Sequence, residues 1–382
     1  MKLNFKLIKN RNTVFFIITA LIMIIMVWYG ATGSIEYTPN LNYDPNVEYA
    51  PGRVVEVVAD ATAINDYGIR TGWQQLRVEI LRGRNKGEII EITHRLYMEN
   101  SVHAKVGNRL NIYLYQPPER DTPVAVAQSY ERALPVYAII GLFILLLALI
   151  GGKIGMRSAF GLIFTFIVII FLLIPLIVKG YPPAWLTLGL GFVIIAVSLI
   201  SILGFTKKTL VCILSTGIGA VICCLFYLVF TRMLHITGYN IDEIGALLVV
   251  MRDSNIQIGD FLFCGILIAS WGAIMDVTVS ITSCIEELSD TNPDSNFKAL
   301  YRSGMKIGRD VVGSMSNTLI LAFAGTFFIS LVMFRINKID YGRLINSTDI
   351  AIEILRAVAV SSSLILVAPI TAFIASKMYG DK

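Results

Sequence analysis

Residues 259–293 read GDFLFCGILIASWGAIMDVTVSITSCIEELSDTNP, and residues 303–334 read SGMKIGRDVVGSMSNTLILAFAGTFFISLVMF. Each contains an apolar run of roughly the 20 residues that a helix needs to cross a hydrocarbon core of about 30 Å. Each also carries polar groups where a lipid-facing helix would carry none. Asp276 lies deep in the first run. Ser280, Ser283 and Glu287 follow it at i+4, i+7 and i+11, which puts the four on one helical face. In the second run Asp310, Ser314 and Asn317 fall at i, i+4 and i+7. An acidic side chain inside a membrane helix is costly, so it normally faces a protein interior or a water path.

Working outward, the whole chain fits this setting. Of its 382 residues 55% are hydrophobic and only 15% charged, against about 25% charged in soluble domains. The chain is therefore an integral membrane protein. The net charge of +5 sits mostly in short segments between apolar runs, where it sets topology rather than binding nucleic acid. All five cysteines lie in or beside apolar segments, and none lies in the polar stretch 31–134, so no disulfide holds that stretch. No Cys or His spacing suggests a metal site, and no motif calls for a cofactor. There is no nucleophile motif and no Walker sequence, so an enzyme is not expected.

The N-terminal residues 1–30 form a basic segment and an apolar run that is either a signal peptide or a retained transmembrane anchor, and the interfacial Trp28 and Tyr29 favour the anchor. Residues 31–134 form a small extracytoplasmic β domain. Five runs, 52–60, 74–82, 87–94, 109–115 and 123–128, are rich in Val and Ile with partial alternation of polar and apolar residues. Arg84–Gly87 is a candidate hairpin turn. Five short strands suit a small barrel of OB-like or SH3-like type. His94 and His103 are near each other in sequence and read as surface histidines, with a metal pair as the alternative. With 11 basic and 13 acidic residues, the domain has no phosphate-tracking surface.

Residues 135–382 form a seven-helix membrane bundle, with spans at 136–152, 159–178, 184–205, 210–230, 261–288, 311–334 and 352–374. The anchor makes the fold class an α-helical integral membrane protein of about eight transmembrane helices. Residues 242–250 are too short to span and could re-enter the membrane. Lys and Arg number 4, 2, 2, 4 and 2 in segments 1–13, 153–157, 206–209, 289–309 and 375–382. Such a bias puts both termini in the cytoplasm and the β domain outside. Glu286, Glu287 and Asp290 then sit at the cytoplasmic surface, within reach of Lys298, Arg302, Lys306 or Arg309.

If the two polar faces meet, they line a path from mid-membrane to the cytoplasmic edge. Carboxylate, hydroxyl and amide oxygens are hard ligands suited to a cation, and a desolvated carboxylate can carry a proton. The alternative is that the same groups satisfy one another and hold two helices together. Two functional expectations follow. One is an ion-coupled transporter or permease-like protein using Asp276. The other is a non-transporting scaffold or sensor whose β domain binds a partner or ligand outside. The expected partners are the bilayer, a cation or proton, and a second copy of the chain or an extracytoplasmic protein.

The segments GAIMDVTVSITSCIEEL (272–288) and SGMKIGRDVVGSMSNTLILAFAG (303–325) resemble the signature of the YibE/F family of bacterial multi-pass membrane proteins. The resemblance implies a bacterial plasma-membrane location and little biochemistry. It marks Asp276, Glu287, Gly308, Arg309, Asp310, Ser316, Asn317 and Thr318 as signature polar or small positions, which adds Thr318 to the candidate path. It attaches nothing to Thr278 or Cys284.

Overall fold

The computed structural model of the chain describes residues 3–32, 46–97, 102–117, 123–236 and 259–380. It divides into two compact units, 38–146 and 1–37 with 147–382.

The smaller unit is built on one antiparallel sheet. Its strands are β1 (Val47–Ile64), β2 (Arg70–Ile80), β3 (Ile89–Leu96), β4 (Arg109–Tyr115) and β5 (Val124–Tyr130), ordered β3-β2-β1-β4-β5. Alternation turns Leu76, Val78 and Ile80 to the same side as Ile92, Leu110, Ile112 and Leu114, and all are buried. Strand β1 is much longer than its 52–60 core. Its ends read as loop by composition, yet Val47–Arg53 pair with β4 and Ala59–Ile64 pair with β2. Register shifts at Val54/Glu56 and Val57/Ala59 bend it. The outer strands β3 and β5 approach one another but share no ladder. The expected small barrel is therefore a curled half-barrel.

His94 corrects a second expectation. It is not at the surface: it lies between Ile92 and Leu96 on the inward side of β3 and is 1% exposed. Its ring Nε2 lies 2.9 Å from the Val102 carbonyl, to which it donates. Beside it, the buried Gln74 amide donates to Asp60 and to the Ala104 carbonyl and accepts from Ala104 N–H. Hydrogen bonds from Thr62 and then from His103 hold the Asp60 carboxyl well below the usual range. Burial pushes the His94 ring down, and the Val102 carbonyl offsets only part of this. An imidazole whose folded pKa is depressed favours the folded state fully above its unfolded pKa of about 6.5. Below that pH the unfolded chain takes up a proton that the folded ring refuses. Hydrogen exchange of the β3 amides in the full chain is therefore expected to quicken at pH 5.5 relative to pH 7.5, after correction for intrinsic rates. His94→Gln should remove the difference.

The larger unit is helical. It comprises α1 (Leu3–Thr32), α2 (Ala133–Val168), a π-helical turn (Ile169–Leu173), α3 (Ile174–Val178), α4 (Pro183–Leu203), α5 (Lys207–Met233), α6 (Gly259–Thr291), α7 (Phe297–Thr326), α8 (Phe328–Ile336), α9 (Tyr341–Ile345) and α10 (Thr348–Gly380). The start of α2 falls within the smaller unit. Local chemistry sets the ends. Pro183 opens α4 at a position where its missing N–H costs nothing. The Thr206 and Asn296 side chains cap α5 and α7.

Helix α6 is the centre of the bundle, with α4, α5, α7 and α10 packed around it. Its Ile266, Leu267, Ile274, Val277, Ile281 and Ile285 are fully buried. A hydroxyl seam joins it to α5, where Thr216 and Thr278 hydroxyls lie 3.0 Å apart. Gly219 of α5 lets Ile274 of α6 and Val367 of α10 close in, since a Cβ there would stand 2.8 and 3.0 Å from them. At one end Lys208 pairs with Glu286 at 3.1 Å, and Tyr379 O–H donates to the same carboxylate at 3.0 Å. Glu286 thus reaches α5 and α10, not the expected bases of the 289–309 connector. Single carboxylate contacts tie the ends of three helices together.

Among the described residues six helices are long and apolar enough to cross a membrane, and a seventh span forms if α7 and α8, bent by 56°, count as one. The expected eight differ in two places, and the first is the 311–334 run, which is broken between α7 and α8. The runs 136–152 and 159–178 lie in one apolar stretch, Ala133–Val178, broken at Gly152 (φ 53°, ψ −132°). Many large apolar side chains are exposed on the helices, Leu149, Ile150, Trp185 and Leu225 among them, as lipid-facing surfaces require. The 242–250 stretch lies outside the described residues.

Candidate functional site

The two polar faces do not meet. Helices α6 and α7 pack through Ile281 and Ile285 against Gly308 and Gly304, where added Cβ atoms would stand 3.2 and 2.5 Å from the isoleucines. On a helix of 3.6 residues per turn, Ile281 and Ile285 lie about 140° and 180° around α6 from Asp276. Asp310, Ser314 and Asn317 likewise lie about 120–180° around α7 from Gly308. The face carrying Asp276, Ser280, Ser283 and Glu287 points away from α7. Asp310, Ser314, Asn317 and Thr318 point away from α6 and are exposed. The expected continuous stripe of eight side chains is split into two.

Asp276 instead looks into a groove. A cavity of about 580 Å³ lies between the second half of α2, α4 and α6. Asp276 and Ser280 line it from α6, Ser158 and Thr165 from α2, and Ser198 from α4. The rest of the lining is apolar, including Leu162, Ile194, Leu199, Trp271 and Met275. Gly161 brings α2 close to α4, its added Cβ lying 3.3 Å from the Ser198 backbone. Gly191 gives Trp271 its place. A Cβ there would overlap the indole, which is 3% exposed and seals one wall. No hydrogen-bond partner of the Asp276 carboxylate occurs among the described residues. Thr165 donates to the Gly161 carbonyl at 2.9 Å and Ser283 to the Val279 carbonyl at 2.6 Å. Both keep hydroxyl lone pairs to offer.

Three of these polar residues escape notice in the sequence. Ser158 and Thr165 stand seven residues apart on one face of an apolar run, with Gly161 between them, which is a weak but legible mark. Ser198 stands alone and has none. Thr278, which carries no signal in the sequence, makes the interhelical hydrogen bond with Thr216. That bond joins α5 to α6. Among the described residues no group of three or more His, Cys, Asp or Glu is placed to hold a metal ion.

A bundle of long apolar helices around a central polar-faced helix, with an apolar outer surface, is a membrane-embedded protein. The chain belongs to the YibE/F-like protein family, whose family model matches residues 139–381. No curated protein and no solved structure matches it.

Proposed function

We propose that this protein is an ion-coupled transporter of the bacterial plasma membrane and that Asp276 is its coupling carboxylate. One observation carries this assignment: a carboxylate with no hydrogen-bond partner among the described residues faces a groove that also holds four hydroxyl side chains. Carboxylate and hydroxyl oxygens make a hard-cation environment, and an isolated carboxylate in apolar surroundings exchanges a proton instead. The substrate path then runs along α2, α4 and α6 rather than between α6 and α7. Ser283 and Glu287 continue the Asp276 face towards the end of α6. The chain crosses the bilayer eight times when Ala133–Val178 is divided at Gly152 and α7 with α8 is taken as one span. The positive-inside bias puts both termini in the cytoplasm and the sheet outside.

Flux of a panel of monovalent and divalent cations into proteoliposomes under a pH gradient tests the assignment. Asp276→Asn is expected to abolish coupled flux, and wild-type flux in that variant would end the role of Asp276. A second assignment, a scaffold or sensor acting through its β unit, draws on exposed Ile64, Tyr67, Trp73 and Tyr97 around the β1–β2 turn and the end of β3. Under it, Asp276→Asn leaves cellular function intact while Tyr67→Ser with Trp73→Ser removes it.

A further inference from the structure

Val311, Val312, Met315 and Leu319 of α7 lie partly buried against the bundle core, but among the described residues the opposite face of its second half has no neighbour. The buried residues of α7 are Leu300, Gly304 and Gly308, all in its first half, and α8 buries none. From Arg309 to Ile336 an apolar membrane segment therefore passes with no buried residue, whereas α6 buries fifteen. Lipid covers apolar faces without cost, and Ile320, Leu321, Phe328 and Ile329 need nothing more. It cannot serve the rest. Asp310, Gly313, Ser314, Asn317, Thr318, Ala324 and Gly325 share one exposed face of α7. Asn317 lies about 10 Å along the helix from Asp310, inside the apolar segment. Its amide has no hydrogen-bond partner among the described residues, and in hydrocarbon an unserved amide is costly.

We propose that this face is a homodimer interface in which α7 packs against α7 of a second copy across a two-fold axis. The chemistry selects a second copy because the face is self-complementary. The Asn317 amide is both donor and acceptor, so two copies related by a two-fold satisfy each other. Arg309 and Asp310 are neighbours of opposite sign, both exposed and unpaired among the described residues, so each meets its opposite in the partner. Gly313 and Gly325 have open space where a Cβ would stand, which allows the backbones to approach closely.

Disulfide trapping of the full chain in its native membrane tests this. Asn317→Cys is expected to give an oxidised product at twice the 42.3 kDa chain mass. Phe323→Cys, on the opposite face of α7, and the wild type with its five native cysteines should give none. Arg309→Glu and Asp310→Arg should each at least halve the Asn317→Cys product, and the combined swap should restore it. Equal trapping from both faces, or a product of any other mass, would overturn the dimer. So would single-step photobleaching of labelled protein in vesicles at every protein-to-lipid ratio. Failure of transport by Asp276 variants leaves the interface untouched, so the two proposals stand or fall separately.

Discussion

Valine in place of Gly191 is expected to lower the thermal unfolding midpoint by about 10 °C. The Trp271 indole lies on the bare backbone of α4 at this residue, and even one added carbon overlaps its ring. The ring has no free side to move towards, being 3% exposed. Overpacking of this kind costs about 1–3 kcal/mol or more in a close-packed interior. The cause can be isolated with a second change. Trp271→Leu alone removes buried area and destabilises. Gly191→Val on the Trp271→Leu background should cost much less than on the wild type, because the obstacle is gone. Equal costs on both backgrounds would mean that the indole contact does not set the helix spacing.

Asp276 should separate stability from function. A carboxylate that glues helices loses partners when neutralised, and the protein melts earlier. Asp276 has no such partner among the described residues, and its side of α6 faces a cavity rather than α7. Asp276→Asn is therefore expected to melt no lower than the wild type in a thermal scan, while coupled flux disappears. Removing an uncompensated charge from apolar surroundings can only relieve a penalty. Asp276→Glu keeps the charge and should retain part of the flux. A fall of several degrees in Asp276→Asn would show that the carboxylate has a structural partner, and would return it to the role of glue.

The strands were legible because soluble sheets mark their faces. Polar and apolar residues alternate along Gln74–Ile80 and Ile89–Leu96, and the sheet follows. The same alternation, Ile92, His94, Leu96, places His94 inside, a mark that residue type alone obscures. The spans were legible by length and hydropathy. Their mutual orientation was not, because lipid and protein interior are both apolar, and an apolar face of α7 does not announce which of the two it meets. The polar stripes on α6 and α7 are real, but a stripe states only that a face is polar. Gly304 and Gly308 decide the contact. They let Ile285 and Ile281 approach closely and so turn both stripes outward. The groove residues on α2 and α4 come from segments more than 70 residues before Asp276, and no local pattern links them to it.

The π-helical turn at Ile169–Leu173 has a mechanical consequence. Helices α5, α6 and α10 are fastened by the Thr216–Thr278 hydroxyls, by the close approach at Gly219 and by the Lys208–Glu286–Tyr379 contacts. They form the stiff part of the bundle. The wall opposite Asp276 is a helix that changes its winding about one turn after Thr165 and meets Pro175 two residues beyond the wider turn. A helix with one residue too many per turn, followed by a proline that cannot donate, bends more readily than one with an unbroken ladder. Stiffness and compliance thus fall on opposite sides of one carboxylate.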